Sequence, residues 1–174
     1  GADSLDITIH VYERNQFRIA KVDIKGNSKT HDNVIRRELF TLPGDYFSRA
    51  AIIRSMRQLS QLNYFNPEKL NKFPDVAFLP DEKNVNITYE VEEKSSDNVN
   101  ASVGYSGAFG VTGALGFTIN NFNIAAPFEG GAGQVFNFEW QFGAGTLYRT
   151  FSLGFTEPWL YNTPTTLGIN LYDT

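Results

Sequence analysis

The second half of the chain alternates apolar and polar residues with a period of two. Five segments show this pattern, and in each one face is aromatic or aliphatic while the other is small or polar, mostly Gly, Ser, Asn or Thr. Such alternation indicates β-strands whose two faces meet different surroundings. We therefore predict five strands, at about 98–105, 111–120, 136–142, 151–156 and 167–171.

The first half mixes strand and helix periodicity. Alternation predicts strands near 5–11, 19–24 and 85–91, and a weaker, Pro-interrupted strand within 68–79. Helices are predicted over about 31–40, capped by Thr30, and after Ser48. From residue 17 the order is strand, helix, helix, strand, strand, which describes one α+β domain. Its predicted core is Ile24, Ile35, Ile52, Met56, Leu59, Ile87, Tyr89 and Val91.

Charge separates the two halves. Of the 15 Lys and Arg residues, 14 lie at or before Lys94, and only Arg149 follows. This shift in composition predicts a domain boundary at about 94–98. The net charge of −4 gives no clustered basic surface for phosphate, so we do not expect nucleic acid as a partner.

No set of residues suggests catalysis or a bound cofactor. The chain has no Cys, and His10 and His31 lack a second ligand at metal-binding spacing. No Ser/His/Asp or Cys/His set can be assembled, and neither glycine-rich stretch precedes a helix as a phosphate loop would. We expect a protein that is not an enzyme and that needs no cofactor or metal.

The polar faces of the five strands carry almost no Lys, whereas soluble sheets usually place Lys and Glu on the wet face. A soluble sandwich would show the same alternation, but this composition favours strands of a transmembrane β-barrel. Trp159 and Tyr161 are predicted for the interfacial girdle, where amphipathic rings settle at headgroup level. The predicted lipid-facing residues are Phe136, Phe138, Trp140, Phe142, Phe151, Leu153 and Phe155.

Several motifs in order resemble a POTRA domain followed by the start of a BamA-type barrel. The barrel resemblance is carried by Gly104-Tyr105-Ser106 and by the F-x-E-P turn within 155–160. Residues 1–16 resemble the end of a preceding POTRA domain, with Arg14 where that family has Gly. The turn at 121–133 is longer than is typical of the family. The POTRA motifs lie at 22–27, 34–39, 44–48, 59–65 and 85–94.

This resemblance implies three parts: the end of a preceding POTRA domain (1–16), a POTRA domain (17–94) and about five strands of a partial barrel (95–174). It implies assembly and insertion of β-barrel proteins into the outer membrane, with the POTRA domain in the periplasm. The expected partners are unfolded outer-membrane proteins, accessory lipoproteins and membrane lipid. The first barrel strand would pair with a client through its backbone, along Asn98, Val99, Asn100, Ala101, Ser102, Val103, Gly104, Tyr105 and Ser106.

Two other functions remain open at this stage. A two-partner secretion pore would share the POTRA domain and export one protein through the barrel. A passive porin or transporter would not need residues 17–94. Both ends of the sequence suggest cuts through a longer protein, because no signal peptide begins it and an apparent strand ends it.

Overall fold

The computed structural model describes residues 7–8, 16–108, 110–143 and 149–174. The strand predicted within 5–11 lies almost wholly outside these described residues. From residue 17 to residue 94 the chain forms an α+β unit, here called the N-terminal domain. Its elements are β1 (Arg18–Lys25), α1 (Asp32–Arg36), α2 (Arg49–Gln61), α3 (Pro67–Leu70), β2 (Asp75–Leu79) and β3 (Asn84–Glu90).

The sheet of this domain has the order β1-β3-β2, with β1 parallel and β2 antiparallel to β3. The register between β1 and β3 shifts at Ala20. Because the shift inserts one residue, Ile19 and Val22 both point into the core although they are three positions apart. Simple alternation along β1 therefore could not assign its buried face.

The helices follow their predicted signals in part. Ser48 caps α2, since its hydroxyl accepts from Ala51 N at 3.3 Å. The prediction for α1 was wrong at both ends: the α-helix covers Asp32–Arg36, and His31 rather than Thr30 occupies its N-cap position. Turns of the 3-10 type, with i to i−3 hydrogen bonds, continue from α1 to Leu39, which explains why the apolar pattern extends beyond the end of the α-helix.

The core lies between the helices and one face of the sheet. Of the eight predicted core residues, Ile24 and Met56 are only partly buried at its edge, and the other six are buried. Gly26, in the turn after β1, has φ +92°, a left-handed conformation that favours glycine. The buried cluster is Ile19, Val22, Val34, Ile35, Leu39, Ile52, Leu59, Tyr64, Phe65, Leu70, Val85, Ile87, Tyr89 and Val91.

The remaining chain is a five-stranded antiparallel sheet, here called the meander, with the order β4-β5-β6-β7-β8. Each predicted segment is a strand, and neighbours in sequence are neighbours in space. The expected fold class, a βααββ-type α+β domain followed by antiparallel strands, is confirmed, with α3 as an addition. The strands are β4 (Asn98–Ser106), β5 (Gly110–Phe122), β6 (Gln134–Gly143), β7 (Arg149–Glu157) and β8 (Leu167–Asp173).

Strand direction places two turns next to the N-terminal domain. β4 begins four residues after that domain and runs away from it, so β5 and β7 return toward it. The turns at 123–133 and 158–166 therefore lie at the end of the sheet that faces the domain. No helix in the described part of the chain is long and apolar enough to cross a membrane.

Candidate functional site

Strand β4 is an edge of the meander. Among the described residues it pairs only with β5, from Asn98 opposite Thr118 to Ser106 opposite Gly110. Its apolar side chains are largely uncovered, with Val99 85%, Val103 84% and Tyr105 80% exposed. One side of this backbone is therefore free to pair with another strand.

Side chains contribute little to the pairing of β4 with β5. Val103 stands opposite Gly113, and Asn100 stands opposite Gly116. The Asn100 carboxamide occupies the space that a Cβ at 116 would need, at 2.7 Å from Oδ1. Because two cross-strand partners are glycines, we infer that this pairing rests mainly on main-chain hydrogen bonds.

The register of the meander collects the apolar residues on one face. Leu115, Trp140 and Phe151 form one row across β5, β6 and β7. In the next row Phe117 stacks on Phe138, with ring centroids 5.0 Å apart. All seven residues predicted to face lipid lie on this face and are partly or largely exposed. Their contact with lipid stays a prediction.

The opposite face is polar and closely packed around glycine. In one row Asn137, Gly154 and Asn170 are neighbours. The Asn137 and Asn170 oxygens lie 2.2 and 2.6 Å from where a Gly154 Cβ would stand, so both carboxamides lean over the glycine. Small residues on this face thus let polar side chains pack flat against the sheet.

The 121–133 turn is docked on the N-terminal domain, and Asn121 is the centre of the contact. Asn121 is 3% exposed and has φ +55°. Its Nδ2 donates to Thr30 Oγ1 at 2.8 Å, and its Oδ1 accepts from Gly133 N at 2.9 Å. Gly131 O accepts from His31 N at 2.9 Å. One side chain therefore joins the end of β5, the turn and the start of α1.

Glycine allows this turn to approach so closely. Gly131 has φ +90°, and a Cβ there would lie 2.1 Å from Lys29 O. Tyr64 also reaches the turn, since its hydroxyl donates to Gly133 O at 3.2 Å. The unusual length of the turn thus supplies a contact surface for the N-terminal domain.

The second turn makes another contact through the F-x-E-P motif. The Glu157 carboxylate accepts from Trp159 N at 2.9 Å and from Gln134 Nε2 at 2.8 Å. The turn held in this way places the Trp159 ring beside Arg37, with Nε1 donating to Glu38 Oε1 at 3.0 Å. Trp159, for which a girdle position was predicted, therefore has its polar edge on the N-terminal domain. Tyr161 is 89% exposed.

Charges at this junction are partly buried. The Arg37 side chain is only 13% exposed and lies 3.8 Å from Glu38, and its Nε finds no hydrogen-bond partner among the described residues. Burial lowers the pKa of Arg37, while Glu38 and Glu157 act in the opposite direction. Burial likewise raises the pKa of Tyr64.

The linker between the two units is also held. The Glu93 carboxylate accepts from the backbone N–H groups of Lys29 and Thr30. Asn120 donates from its side chain to Ser96 O at 2.5 Å and from its backbone to Asp97 Oδ1 at 2.9 Å. Sequence reasoning missed this junction. Its one visible signal was the long, glycine-rich turn.

Comparison with known proteins gives a consistent result. Residues 17–94 match the POTRA family, described as a surface antigen variable number repeat. A protein of Treponema pallidum (strain Nichols), whose name places it among candidate outer membrane protein assembly factors, is 30% identical over 96% of this chain and 19% of its own length. The outer membrane protein assembly factor BamA of Neorickettsia risticii is 30% identical over 67% of this chain and 15% of its own length.

A solved structure shows the same fold. The crystal structure of BamA from Haemophilus ducreyi lacking POTRA domains 1–3 superposes with a TM-score of 0.67 at 22% identity, over 90% of this chain and 27% of that one. The chain spans about a fifth or less of the length of these curated relatives.

Proposed function

Residues 17–94 are a POTRA domain of the BamA type, and from this premise we propose that the full-length protein assembles and inserts β-barrel proteins into the outer membrane. The proposal draws on the homology to outer membrane protein assembly factors along most of this chain. In this account the meander is the first part of a transmembrane barrel, and the POTRA domain lies in the periplasm.

The apolar face of the meander supports the membrane location. Its phenylalanines, with Phe117 stacked on Phe138 and tilted against Phe136, leave rings partly exposed on one side of the sheet. A soluble domain rarely leaves a continuous aromatic face of this size uncovered. Lipid against this face and a polar interior against the Asn and Gly rows would satisfy both surfaces.

The single observation that carries the mechanism is the free, weakly packed edge of β4. A client strand would pair with this edge through backbone hydrogen bonds, which read no side-chain sequence and so accept many clients. Opening and re-pairing would be easy because Gly113 and Gly116 give β4 little side-chain packing. Folding of the client supplies the free energy, so the account requires no nucleotide or cofactor.

The POTRA domain would hold clients and accessory lipoproteins. Strand β2 is an edge of its sheet, with Phe78 and Leu79 partly exposed. An extended segment could add to this edge. A groove of about 470 Å³ between α2 and α3, floored by Met56, Leu70 and Phe73, lies near it.

Two serines allow a matched test. Ser102 lies on β4, and Ser152 lies on β7, which is paired on both sides by β6 and β8. A photoreactive amino acid at each position of the full-length protein would be irradiated during synthesis of several unrelated outer-membrane proteins. We expect client adducts at least about tenfold more abundant from 102 than from 152. Equal yields, or adducts with a single exported protein only, would contradict the proposal.

A further inference from the structure

The strongest feature that the proposed function leaves unused is the polar junction between the POTRA domain and the meander. Two of its side-chain contacts lie on the same short segment of the POTRA domain. Asn121 bonds Thr30 just before α1, and Trp159 bonds Glu38 just after it. Both contacts use side chains, and both come from turns at the same end of the sheet.

We propose that Thr30, Asn121, Glu38 and Trp159 are positioning residues that fix the POTRA domain in one orientation beneath the edge strand β4. The inference rests on the proposed function only for its final step, that this orientation is used to present clients to β4. The structural step, that these four side chains set the orientation, stands independently of what the protein does.

Two contact points prevent a rotation of the POTRA domain that one contact point would allow. The first contact point, where His31 N and the Tyr64 hydroxyl also donate to the 121–133 turn, would by itself leave the POTRA domain able to rotate about that point and the linker at 95–97. Contacts before and after α1 remove that rotation, since the helix is then held at both ends. The linker contacts of Asn120 lie on the same strand end as Asn121, so they belong to the first contact point and not to a third.

Burial makes the loss of either contact energetically costly. Thr30 is 2%, Asn121 3% and Glu38 8% exposed. A buried polar group that loses its partner remains desolvated, so each lost bond is expected to shift the ratio of docked to undocked domains about tenfold. The backbone is adapted as well, because Asn121 adopts a left-handed conformation that Asn tolerates better than most residues.

The Trp159–Glu38 contact depends on the structure of a turn in the meander. Glu157 accepts from the Trp159 backbone N–H and from Gln134 Nε2, and these bonds hold the turn between β7 and β8 from which Trp159 reaches Glu38. Arg37 then fills the space between Glu38 and Gly133. The second contact is therefore assembled from the meander, and it disappears if the meander and the domain separate.

The test uses the full-length protein with cysteine only at 57 and 111, each spin-labelled. Arg57 is exposed on α2, and Val111 is 56% exposed at the far end of β5. Pulsed electron–electron double resonance of the protein in lipid should give one narrow distribution of the distance between the two labels. The Thr30→Val/Trp159→Phe variant should broaden it at least about twofold. The controls Thr30→Ser and Glu38→Gln, which keep a hydroxyl and an acceptor oxygen, should leave it narrow.

A second label pair, at 57 and 83 inside the POTRA domain, must stay narrow in the double variant. If it broadens, the single variants Thr30→Val and Trp159→Phe replace the double one, and each should show an intermediate width. An unchanged 57–111 distribution would overturn the proposal, because the orientation would then be set by the linker and by the bonds of His31 N and the Tyr64 hydroxyl to Gly131 O and Gly133 O. A broadened distribution with client assembly at the parental rate would overturn the functional step. A protein that assembles no clients even in its parental form would refute the proposed function and leave the distance result intact.

Discussion

Two glycines of the POTRA domain share a backbone conformation but not a neighbourhood, which makes Gly26→Ala and Gly44→Ala a matched pair. Gly26 has φ +92° and Gly44 has φ +96°. A Cβ at Gly44 would meet nothing within 4 Å, whereas one at Gly26 would lie 1.9 Å from Val91 O. Both variants carry the conformational cost of an L-residue in this region, and only Gly26→Ala adds a clash.

The magnitudes follow from these two terms. The left-handed conformation costs about 1–2 kcal/mol, offset by about 0.4–1 kcal/mol because Ala lowers the entropy of the unfolded chain. Gly44→Ala should therefore lower the free energy of unfolding by about 1 kcal/mol. In Gly26→Ala the Val91 carbonyl must move, which disturbs a residue that is 5% exposed and its 2.8 Å bond from Val91 N to Lys25 O. We expect a loss of about 3 kcal/mol or more.

The assay is thermal and denaturant unfolding of residues 17–94, whose hydrophobic cluster lies entirely within that range. At about 4–8 °C per kcal/mol for a domain of this size, Gly44→Ala should lower Tm by about 5 °C and Gly26→Ala by about 15 °C or more. Equal shifts in the two variants would refute the reasoning, because they would show that the contact with Val91 yields without cost.

Three further predictions test other parts of the account. Ile52→Ala, at a fully buried site, should cost about 2–5 kcal/mol in the same unfolding assay, and Met56→Ala at the half-buried edge should cost clearly less. Equal losses in the two variants would show that the buried face of α2 is assigned incorrectly. Spin labels at 138 and 139 of the full-length protein in liposomes should differ, with 138 accessible to oxygen and 139 to a polar relaxer, and reversed accessibility would argue against a membrane barrel. Burial raises the pKa of Tyr89, whose hydroxyl bonds Thr41 at 2.9 Å. Because the folded-state pKa lies above the unfolded value near 10, the stability that depends on neutral Tyr89 is complete below about pH 10 and is lost as pH rises through the folded-state pKa. Tyr89→Phe should therefore flatten the fall in unfolding free energy at alkaline pH, and an unchanged slope would contradict this role of Tyr89.

The elements that depend on residues close in sequence could be predicted from the sequence. The five meander strands follow from period-two alternation alone, and the register later places Leu115, Trp140 and Phe151 in one row without any signal beyond that alternation. The Ser48 cap is likewise readable, because it joins residues three positions apart. The motifs at 22–94 pointed correctly to a POTRA domain.

Long-range polar contacts could not be read in this way. Asn121 and Thr30 are separated by 91 positions, and Trp159 and Glu38 by 121. Neither pair follows a sequence periodicity, and the burial of Arg37 likewise depends on contacts that come from the meander. The bulge at Ala20 was hidden for a related reason, since it is set by the partner strand β3 and not by β1 itself.

The central claim is that the backbone edge of β4 templates client strands, and a pair of proline variants tests it most directly. Neighbouring residues of a strand direct their N–H groups to opposite sides, so Ala101→Pro and Ser102→Pro each remove a different donor: one toward β5, the other toward the free edge. Both would be introduced into the full-length protein, and the assembly rates of several unrelated outer-membrane proteins measured.

The account predicts that one variant damages the barrel itself, while the other leaves the barrel inserted and slows assembly of every client. If a variant whose barrel is intact and whose free-edge donor is gone still assembles all clients at the parental rate, β4 does not template them.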